Sequence, residues 1–224
     1  MSNPLLAYQT AIKLGGTSTA MTGEACANVD SGLWHKYQIT NAVKRAIDWN
    51  QPITVKKNGT AQTSTLYSVD YCNGFIFFFA ALINTDVVTI DGNYIPTSLV
   101  ALARATTVEG SAAYADVSVF GNTAKAEIPA MPTLAITVDT VHVPADIIFG
   151  AVSLLSALES GAPLFLEISF GAGAKILHAW CVPQKGKFVS KLLDALTTGL
   201  EFDGVVQTCN GRPGTDQAMW GWAN

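Results

Sequence analysis

Residues 38–79, QITNAVKRAIDWNQPITVKKNGTAQTSTLYSVDYCNGFIFFF, decide the fold class of this 224-residue chain. Short hydrophobic runs are punctuated here by strong turn chemistry: Asn58-Gly59 between two alternating stretches, then Asn73-Gly74 before a burst of aromatics. Asn-Gly favours the positive-φ pair that a two-residue hairpin loop needs, so the segment predicts two β-hairpins. The runs at 53–57 and 65–71 alternate apolar and polar residues, as half-buried strands do. Residues 75–83 are apolar on both faces, which places that strand between two layers or against a neighbouring subunit. Residues 41–49 carry helix formers, with Thr40 or Asn41 as N-cap and Pro52 as a stop, and predict a short helix or helical turn. A meander with no nucleophile, base or metal cluster reads as scaffold.

Outward from this segment the pattern stays β. Residues 87–94 alternate, with Asp91-Gly92 as a turn, and 98–109 and 113–120 read best as strands. Residues 125–128 and 134–138 predict an antiparallel pair joined by a corner at 129–132. The clearest helix is 144–160: Pro144 suits a first turn, Asp146 complements the N-terminal dipole, and Gly161 supplies the stop. Residues 164–170 and 175–182 read as strands around a Gly-Ala-Gly turn, 190–197 as a helical turn, and 200–206 as a last strand. Within 1–30, a strand at 5–14 and a Gly/Thr/Ser-rich loop at 15–24 form an N-terminal arm that orders on assembly. A domain over 31–209 and a turn-rich tail at 210–224 complete the division. The expected architecture is mainly β: an antiparallel β-sandwich or half-barrel with one flanking α-helix at about residues 144–160.

Composition bounds the function. Hydrophobic residues make up 49% and charged residues 13%, against about 25% charged in a typical soluble domain. So little charge on a chain of this size implies that much of the exterior is covered by other copies of itself. The net charge is −4, and Lys44-Arg45 and Lys56-Lys57 are pairs rather than a basic stripe, which argues against a phosphate-gripping surface. No apolar span reaches membrane length, and the N-terminus lacks the charged and apolar regions of a signal peptide. Synthesis in a cytoplasm is the expectation. Cys26, Cys72, Cys181 and Cys209 form no CxxC pair and read as free, mostly buried thiols.

No enzyme class stands out. His35, His142 and His178 lie at no metal-ligand spacing from one another or from a cysteine. His178 and Cys181 share a predicted strand at odd spacing, so they point to opposite faces, and His178 reads as a packed or interface histidine. There is no GxSxG elbow. Gly171-Ala172-Gly173 precedes a strand rather than a helix, which removes the anion site of a dinucleotide fingerprint. The carboxylates are dispersed. No cofactor and no metal site is expected.

The order YQIT-x-A-x-x-x-AIDW-x-x-P-ITV-x-x-NG, followed by YSVDYCNGFIFF, resembles the N-terminal region of tail tube (major tail) proteins of long, non-contractile tailed bacteriophages. The likeness continues in DGNYIP (91–96), in DVSVFGNTAKAEIPAM (116–131), and in a helix followed by a Gly-Ala-Pro corner (161–163) and LFLEI. It touches most of residues 34–206 in order. Where such proteins often carry an Asp-x-Thr strand, Ser118 and Val119 stand here.

The resemblance implies a virion structural protein without catalytic residues. Six copies form a ring, and rings stack into a hollow tube through which DNA passes at ejection. Tail completion and tape-measure proteins are the implied partners. Low charge suits subunits buried on several sides, heterologous contacts close into rings that stack, and a mildly negative balance suits a channel that must not hold phosphates. On this reading Phe75, Phe77, Phe78 and Phe79, with Leu5 of the arm and Trp220 and Trp222 of the tail, are candidate subunit-interface residues. The alternatives are another tail or connector component, and a β-sandwich module that binds carbohydrate or protein through Trp34, Trp49, Trp220 and Trp222.

Overall fold

The computed structural model describes residues 10–116, 127–140, 159–170, 176–191, 194–204, 206–208, 216–218 and 220–223. Strand β1 (Thr10–Gly15) is followed by a meander of β2 (Thr19–Asn28), β3 (Lys36–Ile39), β4 (Thr54–Lys57), β5 (Thr60–Ala61), β6 (Tyr67–Asp70), β7 (Phe75–Phe78) and β8 (Val88–Tyr94). Then come β9 (Thr97–Asp116), β10 (Glu127–Thr140), β11 (Leu164–Ser169), β12 (Ile176–Lys191) and β13 (Asp194–Gly204). Three short strands end the chain: β14 (Val206–Thr208), β15 (Asp216–Ala218) and β16 (Trp220–Ala223).

Strands β2 to β8, expected as a simple meander, form one antiparallel sheet in the interleaved order β5-β4-β8-β2-β3-β7-β6, in which β8 lies between β4 and β2 and β3 pairs with β7. The second sheet runs β11-β1-β9-β10-β13-β12-β16, and β12 also pairs with β11. Six of its strands therefore make a ring of pairings that returns to its start, and closure leaves the ring no open edge. The expectation of a mainly β, antiparallel architecture holds. Of the helix at 144–160, only Glu159 and Ser160 lie among the described residues. They are helical and run into Gly161 at φ +65°, where the sequence placed the stop.

The Asn58-Gly59 hairpin forms as the sequence predicts. Asn58 and Gly59 take φ of 50° and 81°, and Lys57 faces Thr60 across a two-residue loop. The second hairpin differs. Asp70 faces Phe75 across the four-residue loop 71–74, in which only Gly74 has positive φ. The reason is Asp70, whose carboxylate accepts the Cys72 and Asn73 backbone N–H groups at 2.9 and 3.1 Å, while its carbonyl accepts from Gly74 at 3.0 Å. Aspartate at the start of a turn competes for these donors and sets a wider loop than Asn-Gly alone. A Cβ on Gly74 would lie 2.9 Å from Arg45 Cα, so glycine is required for space as well as for φ.

Several boundaries depart from expectation. Residues 10–15 form a strand, in line with the one expected at 5–14, but residues 19–28, expected to begin as a loop, form a second strand in the other sheet, and residues 216–218 and 220–223 of the tail are also strands. Residues 41–49 hold only a 3-10 turn, Ala42–Lys44, with Asn41 as its cap through Oδ1 to the Val43 N–H. The corner at 129–132 is not a reversal. It is a register shift within β10, as befits prolines that cannot donate to the ladder. The helical turn at 190–197 is replaced by pairing of β12 with β13, up to Lys191 opposite Asp194.

Strand alternation builds two cores. Ile12 and Leu14 of β1, Leu134, Ile136 and Val138 of β10, Leu166 and Ile168 of β11, Leu177, Ala179 and Cys181 of β12, and Phe202 of β13 fill the ring interior. Phe165 and Trp180 point the other way on β11 and β12. They join Tyr37, Ile39, Val55, Val69, Ile76, Phe78 and Ile90 of the meander in the second core. Phe165 meets Trp180 edge-on at 5.6 Å, and Trp180 meets Trp49 at 6.2 Å and 88°. Truncating Phe165, which is almost fully buried, removes the pin between the layers. Phe165→Ala is expected to cost about 3–5 kcal/mol in urea unfolding, with loss of the near-UV tryptophan signal before far-UV strand signal.

Candidate functional site

The aromatic strand was expected to be apolar on both faces through residue 83, but it ends at Phe78. Ile76 and Phe78 are buried in the second core, whereas Phe75 and Phe77 lie on the opposite face with Lys36 Nζ 3.9 and 5.3 Å from their ring centroids. Of the candidate interface residues, Phe78 is therefore a core side chain, Phe75 and Phe77 are half-covered by a lysine, and Phe79 is exposed. Leu5 lies outside the described residues. For Trp220 and Trp222 the backbone is described: they sit opposite Ala179 and Leu177 in the pairing of β16 with β12.

One end of the meander exposes a group of apolar side chains, among them Phe79, an expected interface residue, and Ile83, the expected end of the aromatic strand. The β2–β3 connection and the β7–β8 connection meet there, joined by the Leu82 N–H donating to the Trp34 carbonyl at 3.0 Å. They expose Leu33 (69%), Ile83 (62%) and Val87 (61%), together with Val29 and Phe79. Two carboxylates hold these connections. Asp30 accepts from the backbone N–H groups of Trp34, His35 and Lys36 at 3.0, 2.7 and 2.8 Å. Asp86 accepts from the Ile83 N–H at 3.0 Å, from Asn58 Nδ2 at 2.8 Å and from Lys57 Nζ at 3.0 Å. The apolar side chains thus stand on loops whose backbone is already ordered. The available signal was the turn chemistry of DSG (30–32) and NTD (84–86) beside isolated apolar residues.

The second site is a cleft of about 710 Å³ where the meander meets the outer wall of the ring, lined by residues of β1, β3, β7, β11 and β12. Its floor is a polar network. Lys13 Nζ donates to Glu167 Oε1 at 2.7 Å, and Thr97 Oγ1 donates to Glu167 Oε2 at 3.1 Å. Asn73 Nδ2 donates to Asp70 Oδ2 at 3.0 Å, and Gln38 Nε2 donates to the Asn73 carbonyl at 3.0 Å. Because a carboxylate only accepts, the Asn73 amide nitrogen faces Asp70 and its Oδ1 faces His178 Nδ1 at 3.0 Å. The proton of a neutral His178 therefore resides on Nδ1, and Nε2 presents a lone pair. Burial holds this imidazole below its ordinary 6.5, against the opposing pull of Glu167, the Cys72 carbonyl and Asp70. The ring is neutral at neutral pH, and His178 is a positioned, half-buried residue whose ring lies 5.6 Å from that of Phe165, tilted by 51°.

The described cysteines are free thiols. Burial, helped by the Glu24 carboxylate, pushes Cys26 up to about 12, and burial with Asp203 does the same to Cys181. Thiols so far from ionising are weak nucleophiles at neutral pH.

Desolvation pulls the Asp30 carboxyl upward, but the Asn28 side chain and the His35, Lys36 and Trp34 N–H groups hold it down at about 2. Its folded value thus lies below the ordinary 3.8, so its stabilisation is complete above about pH 4 and is lost as pH falls towards 2. Asp30→Asn is expected to lower Tm at neutral pH. It should also flatten the dependence of Tm on pH across that window, as read by circular dichroism melts.

No protein family and no curated protein matches the chain. Among solved structures, it is similar to a chain in the virion of a native gene transfer agent particle, at 14% identity and a TM-score of 0.37, over 55% of this chain and 88% of that one. It is likewise similar to a chain in the C6-symmetric tail of an empty gene transfer agent particle, at 14% identity and a TM-score of 0.37, over 53% of this chain and 87% of that one.

Proposed function

We propose that this chain is a virion structural protein: a tail tube subunit that associates in sixfold rings, which stack into a hollow conduit for DNA. The observation that carries the reading is the apolar meander end. Leu33, Ile83, Val87 and Phe79 are exposed on a chain with only 13% charged residues. Large apolar side chains held in place on hydrogen-bonded loops lose little entropy on docking, so they suit a contact between subunits better than a solvated surface. The sequence resemblance over residues 34–206 supports the same class and supplies the tube, the sixfold ring, and tail completion and tape-measure proteins as partners. The net charge of −4 fits a conduit that does not retain phosphates. The virion is then the site of action, and no catalytic step is assigned.

Negative-stain microscopy and light scattering of the purified chain test this proposal. The expected result is rings or tubes with a central hole at high protein concentration. A double variant, Leu33→Lys with Ile83→Lys, should keep the wild-type Tm and remain monomeric. A wild-type chain that stays monomeric at every accessible concentration overturns the proposal, and a double variant that assembles normally overturns the assigned surface.

A further inference from the structure

The floor of the cleft places two acceptors face to face. His178 Nε2 and Glu167 Oε2 are 3.9 Å apart, and the Asp70–Asn73–His178 relay makes Nε2 a lone pair rather than a donor. At that separation a hydroxyl can donate to one acceptor and remain within reach of the other. An ammonium group would satisfy the same acceptors, but the cleft is lined by Lys13, Lys36 and Arg45 against the carboxylate of Glu167, with Asp70 behind the floor, which leaves three cations against two carboxylates. Only Lys13 is neutralised by that carboxylate. Among the described residues, Lys36 and Arg45 form no ion pair; Lys36 lies over Phe75, and Arg45 Nε donates to the Ile39 carbonyl at 3.0 Å. The local field therefore repels a cation and attracts an anion.

We propose that this cleft binds a small polyhydroxylated anion of the uronic-acid class. A hydroxyl seats between His178 and Glu167, and the carboxylate reaches Lys36 and Arg45. The volume falls within the range of small-molecule sites. Gln38 adds an amide group of the kind that fixes hydroxyl orientation. This assignment does not depend on the tube reading, since ligand uptake and ring assembly are read by separate measurements.

Isothermal titration of the full chain with glucuronate, glucose and inorganic phosphate provides the test. Glucuronate is expected to bind more tightly than either of the others, which carry only the hydroxyls or only the anion. Lys36→Ala, at a half-exposed position that leaves the fold intact, should weaken glucuronate about tenfold, the loss of one charge-assisted contact, and leave glucose unchanged. Glu167→Gln, with folding checked by its melting curve, should weaken glucuronate and glucose alike. Three results overturn the proposal: no heat with glucuronate, phosphate binding as tightly as glucuronate, or a Lys36→Ala variant that binds glucuronate as the wild type does.

Discussion

One hairpin holds this molecule together. Strands β11 and β12 pair with each other and close the ring, and their period-two alternation sends Leu166, Ile168, Leu177 and Cys181 inward while Phe165 and Trp180 point outward. Both faces of the hairpin are buried, so neither core is complete without it. A strand that is apolar on one face only would close the ring and leave the meander with no floor.

Polar groups join the same layers at the edge of the apolar contact. Asp70 orders the turn between β6 and β7 and fixes the amide of Asn73, which in turn fixes the tautomer of His178 on β12. Lys13 of β1 and Thr97 of β9 hold Glu167 of β11 beside it. A half-buried network of this kind is favourable only while its members remain paired, so it ties the position of the meander to that of the ring. Asp30 and Asp86 perform a local version of the same task on loops that carry exposed leucine, isoleucine and valine.

Much of the fold was legible because its signals are local. Asn58-Gly59 encodes its own turn, and the alternation read at 65–71 and 87–94 agrees with the buried faces of β6 and of the start of β8. Where sequence reasoning failed, a longer-range effect won. The segment KLLDALT has helix formers, yet β12 and β13 pair across it. The aromatic run 75–79 gave no hint of its end, because Phe79 is as apolar as Phe78 and only the bend at that point distinguishes them. The cleft was invisible for a related reason. Its chemistry comes from Lys13, Asn73, Glu167 and His178, none of which has a motif around it, and only the shared hairpin brings them into one place. The exposed Leu33 escaped notice because a single apolar residue inside a turn carries no periodicity.

The shared hairpin also orders events in time. Its contacts reach far back along the chain: His178 meets Asn73 across 105 positions, and Glu167 meets Lys13 across 154. During translation, the meander leaves the ribosome well before its floor exists, with the faces of Tyr37, Ile76 and Phe78 still wet. Closure of such distant loops is slow relative to helix or local hairpin formation. The nascent chain thus passes through a stage at which its greasiest strands await a late-arriving lid, and helper proteins that shield such surfaces have their greatest leverage at that stage.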